Sequence, residues 1–264
     1  MTKVIGMVRQ YGPPPFEAAV LHGGPGAAGT AACIARRLAN RAGILEPLQA
    51  AKSVQGQIEE LDQQLKQYVS APVTLVGHSW GAWLAVLYAS AHPHLVKQLV
   101  LVGAGPFEEA YVPQILQRRM DNLAKEDAEN FRQTLNELKR GNGEVMERLG
   151  MLVEKTDNVC VIPGETKKQD VLPADGTVYQ AVWPEAELLR RKGELINAIR
   201  KITVPITILH GENDPHPPEG VIQPLKTAGI QHRAVIFPRC GHSPFQEQYA
   251  IERFYKVLTE LITG

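Results

Sequence analysis

Three residues far apart in the chain, Ser79, Asp214 and His242, are of the types that together make a nucleophile. An unassisted serine hydroxyl is a poor nucleophile at neutral pH. It needs an imidazole to take its proton, and the imidazole needs a carboxylate to fix its tautomer and stabilise its charged form. Each of the three follows a short apolar run that reads as a strand: residues 73–78, residues 205–210 and residues 234–237. Asp214 precedes Pro215, which keeps it out of helical conformation. It stands 28 residues before His242, which leaves room for one helix and one strand between them. Taken singly each residue has a bland role, since strand-end aspartates commonly cap helices or stabilise turns. The chain has seven further histidines: His78 adjoins Ser79 but the turn points it away, His210 and His216 read as structural, and His22 reads as a brace for its own loop. The strand end at Leu101-Val102-Gly103-Ala104-Gly105 offers no acid until Glu108, which makes Asp214 the better choice of orienting carboxylate.

The setting of Ser79 sharpens this reading. Gly77-His78-Ser79-Trp80-Gly81 lies between a β-branched apolar run and a helical stretch, Ala82 to Ala89. A strand that turns at once into a helix strains the corner residue and tolerates only small neighbours, here Gly77 and Gly81. The hydroxyl then projects from the carboxyl edge of a sheet, beside the free N–H groups of a first helical turn. The oxyanion of an acyl-transfer intermediate needs two such donors. Trp80 N–H, directly after the serine, is one; the second is expected from Gly24 in His22-Gly23-Gly24-Pro25-Gly26, a loop that follows the strand Ala18-Ala19-Val20-Leu21 and lets its backbone approach a ligand.

These positions require elements to hold them. Helical patterns at residues 30–42 and 54–69, the latter with apolar Val54, Ile58, Leu61, Leu65 and Val69, alternate with strands at 18–21, 43–45, 73–78 and 98–102. Such alternation predicts an α/β fold, a mostly parallel sheet with helices on both faces, whose ligands sit beyond the carboxyl ends of the strands. From Phe107 to Arg200 the alternation stops and four amphipathic stretches follow, the last at residues 185–200. That is too long for a crossover and predicts an inserted helical cap. The domain reading is therefore 1–106 and 201–264 as the α/β core and 107–200 as the cap, with the βα pattern resuming at Pro205 and a closing helix at 247–262.

Composition narrows the function classes. The 264 residues suffice for one large domain, and the formal net charge is zero, which gives no ground for binding nucleic acid or an anionic membrane. Cys33, Cys160 and Cys240 are an odd, widely spaced set that fits reduced thiols. Residues 1–9 hold too short an apolar run for a signal peptide, and no segment approaches the length of a membrane span. The expectation is a soluble, cytoplasmic protein. The histidines and cysteines show no clustered ligand spacing, so neither a metal nor an organic cofactor is expected.

His22-Gly23-Gly24-Pro25-Gly26, Gly77-His78-Ser79-Trp80-Gly81, Gly211-Glu212-Asn213-Asp214 and Gly241-His242-Ser243-Pro244 together resemble the α/β-hydrolase superfamily over nearly the whole chain. The glycine loop and the tryptophan after the serine look most like its proline iminopeptidase branch. The resemblance implies an α/β-hydrolase fold, a Ser79–Asp214–His242 triad, an oxyanion hole at Gly24 and Trp80, and removal of an amino-terminal residue from short peptides. That branch needs cap carboxylates to bind the substrate ammonium; Glu185 and Glu187 near Trp183 could serve, as could Glu165, and a solvated helix face accounts for the same charges. The chain departs from the branch at residues 43–49, where the usual Asp-Gln-Arg-Gly strand end is missing, and the strands usual before the oxyanion loop look nearly absent. The expected activity is thus serine hydrolysis of a small amide or ester, by an aminopeptidase or a carboxylesterase. A binding protein that keeps the fold without chemistry is the rival from another class.

Overall fold

The structure, a computed structural model, describes residues 7–264; most of the amino-terminal stretch weighed above as a signal peptide lies outside them. Among the described residues seven strands form one sheet in the order β1-β3-β2-β4-β5-β6-β7. They are β1 (Val8–Tyr11), β2 (Phe16–Leu21), β3 (Gly43–Pro47), β4 (Val73–His78), β5 (Val96–Val102), β6 (Ile206–Gly211) and β7 (Arg233–Phe237). All neighbours pair parallel except β1, which runs antiparallel to β3 at the edge. One short strand, β1, thus precedes the strand that leads to the glycine loop. β1 escaped the sequence reading because Val8-Arg9-Gln10-Tyr11 is an edge strand with little apolar signal.

The central strands alternate their side chains between two cores, as the two-residue strand repeat demands. Ala19, Leu21, Leu75, Leu99, Leu101 and Ile208 face one, which is covered by α2 (Val54–Lys66), α3 (Trp80–Ala91) and α9 (Glu219–Thr227). Val20, Val76, Val100, Val102 and Leu209 face the other, under α1 (Ala32–Leu38) and α10 (Ile251–Thr263). Both faces are thus closed by helices, and both central strands β4 and β5 are buried along nearly their full length.

Between β5 and β6 lie α4 (Val112–Asp121), α5 (Lys125–Lys139), α6 (Met146–Asp157), α7 (Gly176–Arg191) and α8 (Glu194–Ile199). α4 to α6 enclose a small core of their own around Phe131, Leu138, Leu149 and Leu152. α7 and α8 instead pack into the main core through Val178, Val182, Ala186, Leu195 and Ile199. The helix expected at 185–200 is in fact two. α7 begins nine residues earlier, where the Asp175 carboxylate accepts the Thr177 and Val178 N–H groups at 2.8 and 3.1 Å, and it runs through Pro184. The closing helix starts later than expected, at Ile251, because Glu247 is turned inward to bind loop N–H groups.

The corner between β4 and α3 has no spare volume. A Cβ on Gly77 would lie 2.2 Å from the Gly81 carbonyl oxygen, and one on Gly81 would lie 2.5 Å from that of Leu21. Gly81→Ala is expected to cost about 1–3 kcal/mol of stability, read as a lower urea midpoint at unchanged slope. An unchanged midpoint would contradict this packing.

Candidate active site

Ser79 occupies the corner with φ 54° and ψ −116°, a backbone region a non-glycine residue holds only under constraint. Its N–H donates to the Val102 carbonyl at 2.9 Å, which ties the corner to the end of β5. Trp80 N–H, at the first position of α3, has no carbonyl one turn earlier within the helix. The glycine loop lies alongside: a Cβ on Gly23 would come 3.2 Å from Ser79 Cβ, and Gly24 takes a positive φ of 53° that suits glycine. His22 is buried and its ring bridges the Gly23 carbonyl at 3.0 Å and the Gln49 N–H at 3.3 Å, the brace expected of it.

Asp214 and His242 meet as the sequence implied. His242 Nδ1 lies 2.8 Å from Asp214 Oδ2, and Asp214 is fully buried. His210 Nε2, which bonds the His216 carbonyl at 2.9 Å, also lies 3.1 Å from Asp214 Oδ2, and Oδ1 meets both the backbone N–H of His216 at 2.8 Å and its ring Nδ1 at 3.0 Å. Burial by itself would raise the acid's pKa; the His242, His210 and His216 imidazoles hold it well below the usual carboxylate range. Burial likewise pushes the His242 imidazolium down, but the Asp214 carboxylate outweighs it and its pKa lies above the ordinary histidine value. The His242 ring packs over Gly103, which follows Val102; a Cβ there would sit 3.1 Å from His242 Nδ1. His242 and Ser79 thus share one strand end. No hydrogen bond joins the Ser79 hydroxyl to His242 among the described residues.

His242 is enclosed by two more imidazoles. His78 does not simply turn away: its ring lies 4.8 Å from that of His242 and its Nε2 is 3.2 Å from the His242 carbonyl. His216 stacks on the other side at 4.5 Å and lines the cavity that holds Ser79. Burial and then the nearby His242 depress both, His78 to about 3 and His216 to about 4. The histidine loop is anchored by the buried Glu247, whose carboxylate accepts the Gly241 N–H at 2.9 Å, the Ser243 N–H at 3.3 Å and the Val159 N–H at 2.9 Å.

The cavity beside Ser79 holds about 580 Å³. Its wall is largely aromatic and aliphatic. Trp83, Trp183 and Tyr179 stack in series at 5.9 Å centroid spacing, and Ile115, Phe131 and Leu135 extend the apolar lining. Of the residues expected to bind substrate, Trp183 and Glu187 reach this cavity. Glu185 does not: its carboxylate accepts the Val54 N–H at 2.8 Å, at the start of α2. Glu165 does not either; it faces Arg37 at 3.5 Å. Two residues the sequence reading missed, the half-buried Arg119 of α4 and the buried Asp157 of α6, form a bidentate pair next to His242 and His216. Nothing in the helical pattern marks either, because both read as ordinary helix charges.

Oxygen and nitrogen atoms of Asp157, His216 and His242 lie within 4.8 Å of one another, the closest approach to a metal-binding cluster among the described residues. Arg119 Nε and Nη2 take both Asp157 oxygens, so the cation this cluster holds is the guanidinium. What the arrangement can do chemically is transfer a proton at His242 while binding an apolar group beside a serine.

The imidazoles should be separable by titration. In a ¹H–¹⁵N histidine spectrum, His242 is expected to titrate above its ordinary value, while His78 and His216 stay neutral down to about 3 and 4. A His216 signal that titrates near the ordinary value would contradict its enclosure.

A family profile described as the alpha/beta hydrolase family matches residues 20–256. A pimeloyl-[acyl-carrier protein] methyl ester esterase of Nitrosomonas europaea is 26% identical over 198 residues, 71% of this chain and 71% of that one. Among solved structures, an esterase of Exiguobacterium antarcticum superposes with a TM-score of 0.69 at 18% identity, over 97% of this chain and 95% of the other. The proline iminopeptidase of Mycobacterium smegmatis superposes with a TM-score of 0.64 at 18% identity, over 97% and 93%. At such identities the structural matches speak to the fold, whereas the profile spans nearly the whole chain: this protein belongs to the alpha/beta hydrolase family.

Proposed function

We propose that the protein is a serine ester hydrolase that forms an acyl-enzyme on Ser79. The observation that carries this reading is the 2.8 Å pair between His242 Nδ1 and Asp214 at the same strand end as the strained Ser79. With Nδ1 directed to Asp214, Nε2 is left to accept the Ser79 proton as Oγ attacks the ester carbonyl. The oxyanion would be met by the N–H groups of Trp80 and Gly24. His242 then returns the proton to the departing alkoxide, and water repeats the sequence to release the acid and free Ser79.

The helices of residues 107–200 act in this reading as a cap over the site. Their contribution is the aromatic and aliphatic wall, which suits an apolar acyl group. The relative from Nitrosomonas europaea carries an ester in its name, which supports the same choice. One observation favours the aminopeptidase reading: Glu187 lines the cavity and could face a substrate ammonium. Its carboxylate lies 3.8 Å from Arg190, whose Nε is held by Glu109 at 2.8 Å, so an ammonium would have to compete with a guanidinium already in place.

Turnover of p-nitrophenyl butyrate is expected to exceed that of prolyl and alanyl arylamides, and Ser79→Ala is expected to abolish it by at least about 10⁴-fold. Trp183→Ala should cut kcat/KM for butyrate about tenfold more than for acetate. Arylamide turnover that depends on both Ser79 and Glu187 would overturn the ester reading in favour of the peptidase. Activity that survives in Ser79→Ala would remove the nucleophile assignment.

A further inference from the structure

His242 has a carboxylate on each side of it, and only one comes from the α/β sheet. Asp214 follows β6 and holds Nδ1. Asp157 ends α6, in the helical insert, and is buried. Its backbone carbonyl accepts the His242 N–H at 2.7 Å, and a Cβ on Gly241 would fall 2.1 Å from that same oxygen, so the two loops are in close backbone contact. Its carboxylate has an oxygen within 4.8 Å of ring nitrogens of both His242 and His216.

The Asp157 carboxylate is itself held from two directions. Arg119 grips it with two guanidinium nitrogens, Nε at 2.7 Å from Oδ1, and the Thr156 hydroxyl donates to the same oxygen at 2.6 Å. The Asn122 amide, one helical turn beyond Arg118, ties α4 to the Thr156 carbonyl at 2.9 Å. Arg118, the neighbour of Arg119 on α4, donates to the Asp214 carbonyl at 3.1 Å. Consecutive arginines of one insert helix therefore reach both acids that flank the histidine. Arg119 also lines the cavity beside Ser79, so the pair stands between the substrate space and His242.

We propose that Asp157 is a second anionic positioning residue for His242, supplied by the helical insert, and that Arg119 sets how much of its charge the histidine feels. The inference rests on His242 being the base for Ser79. The groups that face His242 are Asp214, His210 and His216 from the β6 end, His78 from β4, Asp157 from α6, and Arg118 and Arg119 from α4. His78 and His216 are uncharged above pH of about 4, which leaves the two carboxylates and the arginines to act on the imidazolium. Asp157 favours the charged ring and Arg119 disfavours it.

The signs of two substitutions are therefore opposite. Asp157→Asn removes the anion and leaves the guanidinium, so the acid limb of the kcat/KM profile moves to lower pH by about one unit and kcat falls. Arg119→Met leaves the carboxylate unopposed and moves the same limb to higher pH. Arg119→Lys keeps the charge and restores the limb toward its wild-type position. The measurement is the pH–rate profile of each variant on p-nitrophenyl butyrate, with thermal unfolding to confirm a folded protein. A purely structural pair would lower activity in both variants without moving the limb in opposite directions, and that result would overturn the inference. If Asp157→Asn does not fold, the contrast between Arg119→Met and Arg119→Lys decides: an unmoved limb in Arg119→Met counts against the proposal. The underlying reading fails separately, through a wild-type enzyme with no acid limb or an active Ser79→Ala variant.

Discussion

The buried Asp214 carboxylate is the constraint on which the rest of the site depends. A charge with no access to water must find its partners within the protein or cost more than the fold can supply. Here three imidazoles and one backbone N–H supply them, and among the described residues no arginine or lysine side chain pairs with the carboxylate oxygens. The choice of imidazole matters. A guanidinium would satisfy the carboxylate but hold its protons permanently, whereas the imidazole at His242 can lose and regain one during a reaction. Meeting this demand sets the loops: Gly211 must pass so close to the His242 loop that a Cβ would lie 1.9 Å from the Gly241 oxygen, and Glu247 must leave the last helix to hold the same loop from behind.

A second constraint runs from the sheet to the serine. Ser79 keeps a positive φ because β4 ends where α3 begins, with Gly77 and Gly81 meeting at the corner. Strain of this kind costs of order 1–3 kcal/mol and persists only where the surroundings leave no alternative. The two cores provide that: β4 lies between β2 and β5 in the middle of the sheet, with α3 packed on one face and α1 and α10 on the other. The strained residue of the site thus directly follows the middle strand of the sheet, which is buried along its whole length.

The helical insert joins these two constraints. α7 and α8 belong to the main core and carry Trp183 over Trp83, so the aromatic wall of the cavity is as fixed as the sheet beneath it. α4 and α6 reach Asp214 and His242 directly through Arg118 and Asp157, the latter gripped by Arg119. An element that shapes the cavity also touches the groups that would act in it, so a shift of α4 or α6 would be felt at His242.

The sequence by itself determined the alternation of strands and helices and singled out the candidate reactive residues. Ser79, Asp214 and His242 each follow an apolar strand run, and strand ends can be read locally because burial on both faces leaves a continuous apolar stretch with glycine or proline beyond it. The turn at Gly77–Gly81 and the brace at His22 were legible for the same reason: backbone geometry is imposed by neighbours in the chain. β1 was hidden by its polar edge composition, and the start of α7 by Pro184, which reads as a break although Asp175 caps the helix nine residues before. Tertiary structure alone decided which helix charges reach the site. Glu185 caps α2, Glu165 faces Arg37, and Arg119 and Asp157 stand beside His242, yet all four look alike along the chain. A charge on an amphipathic helix takes its role from what packs against it, and that partner lies tens of residues away.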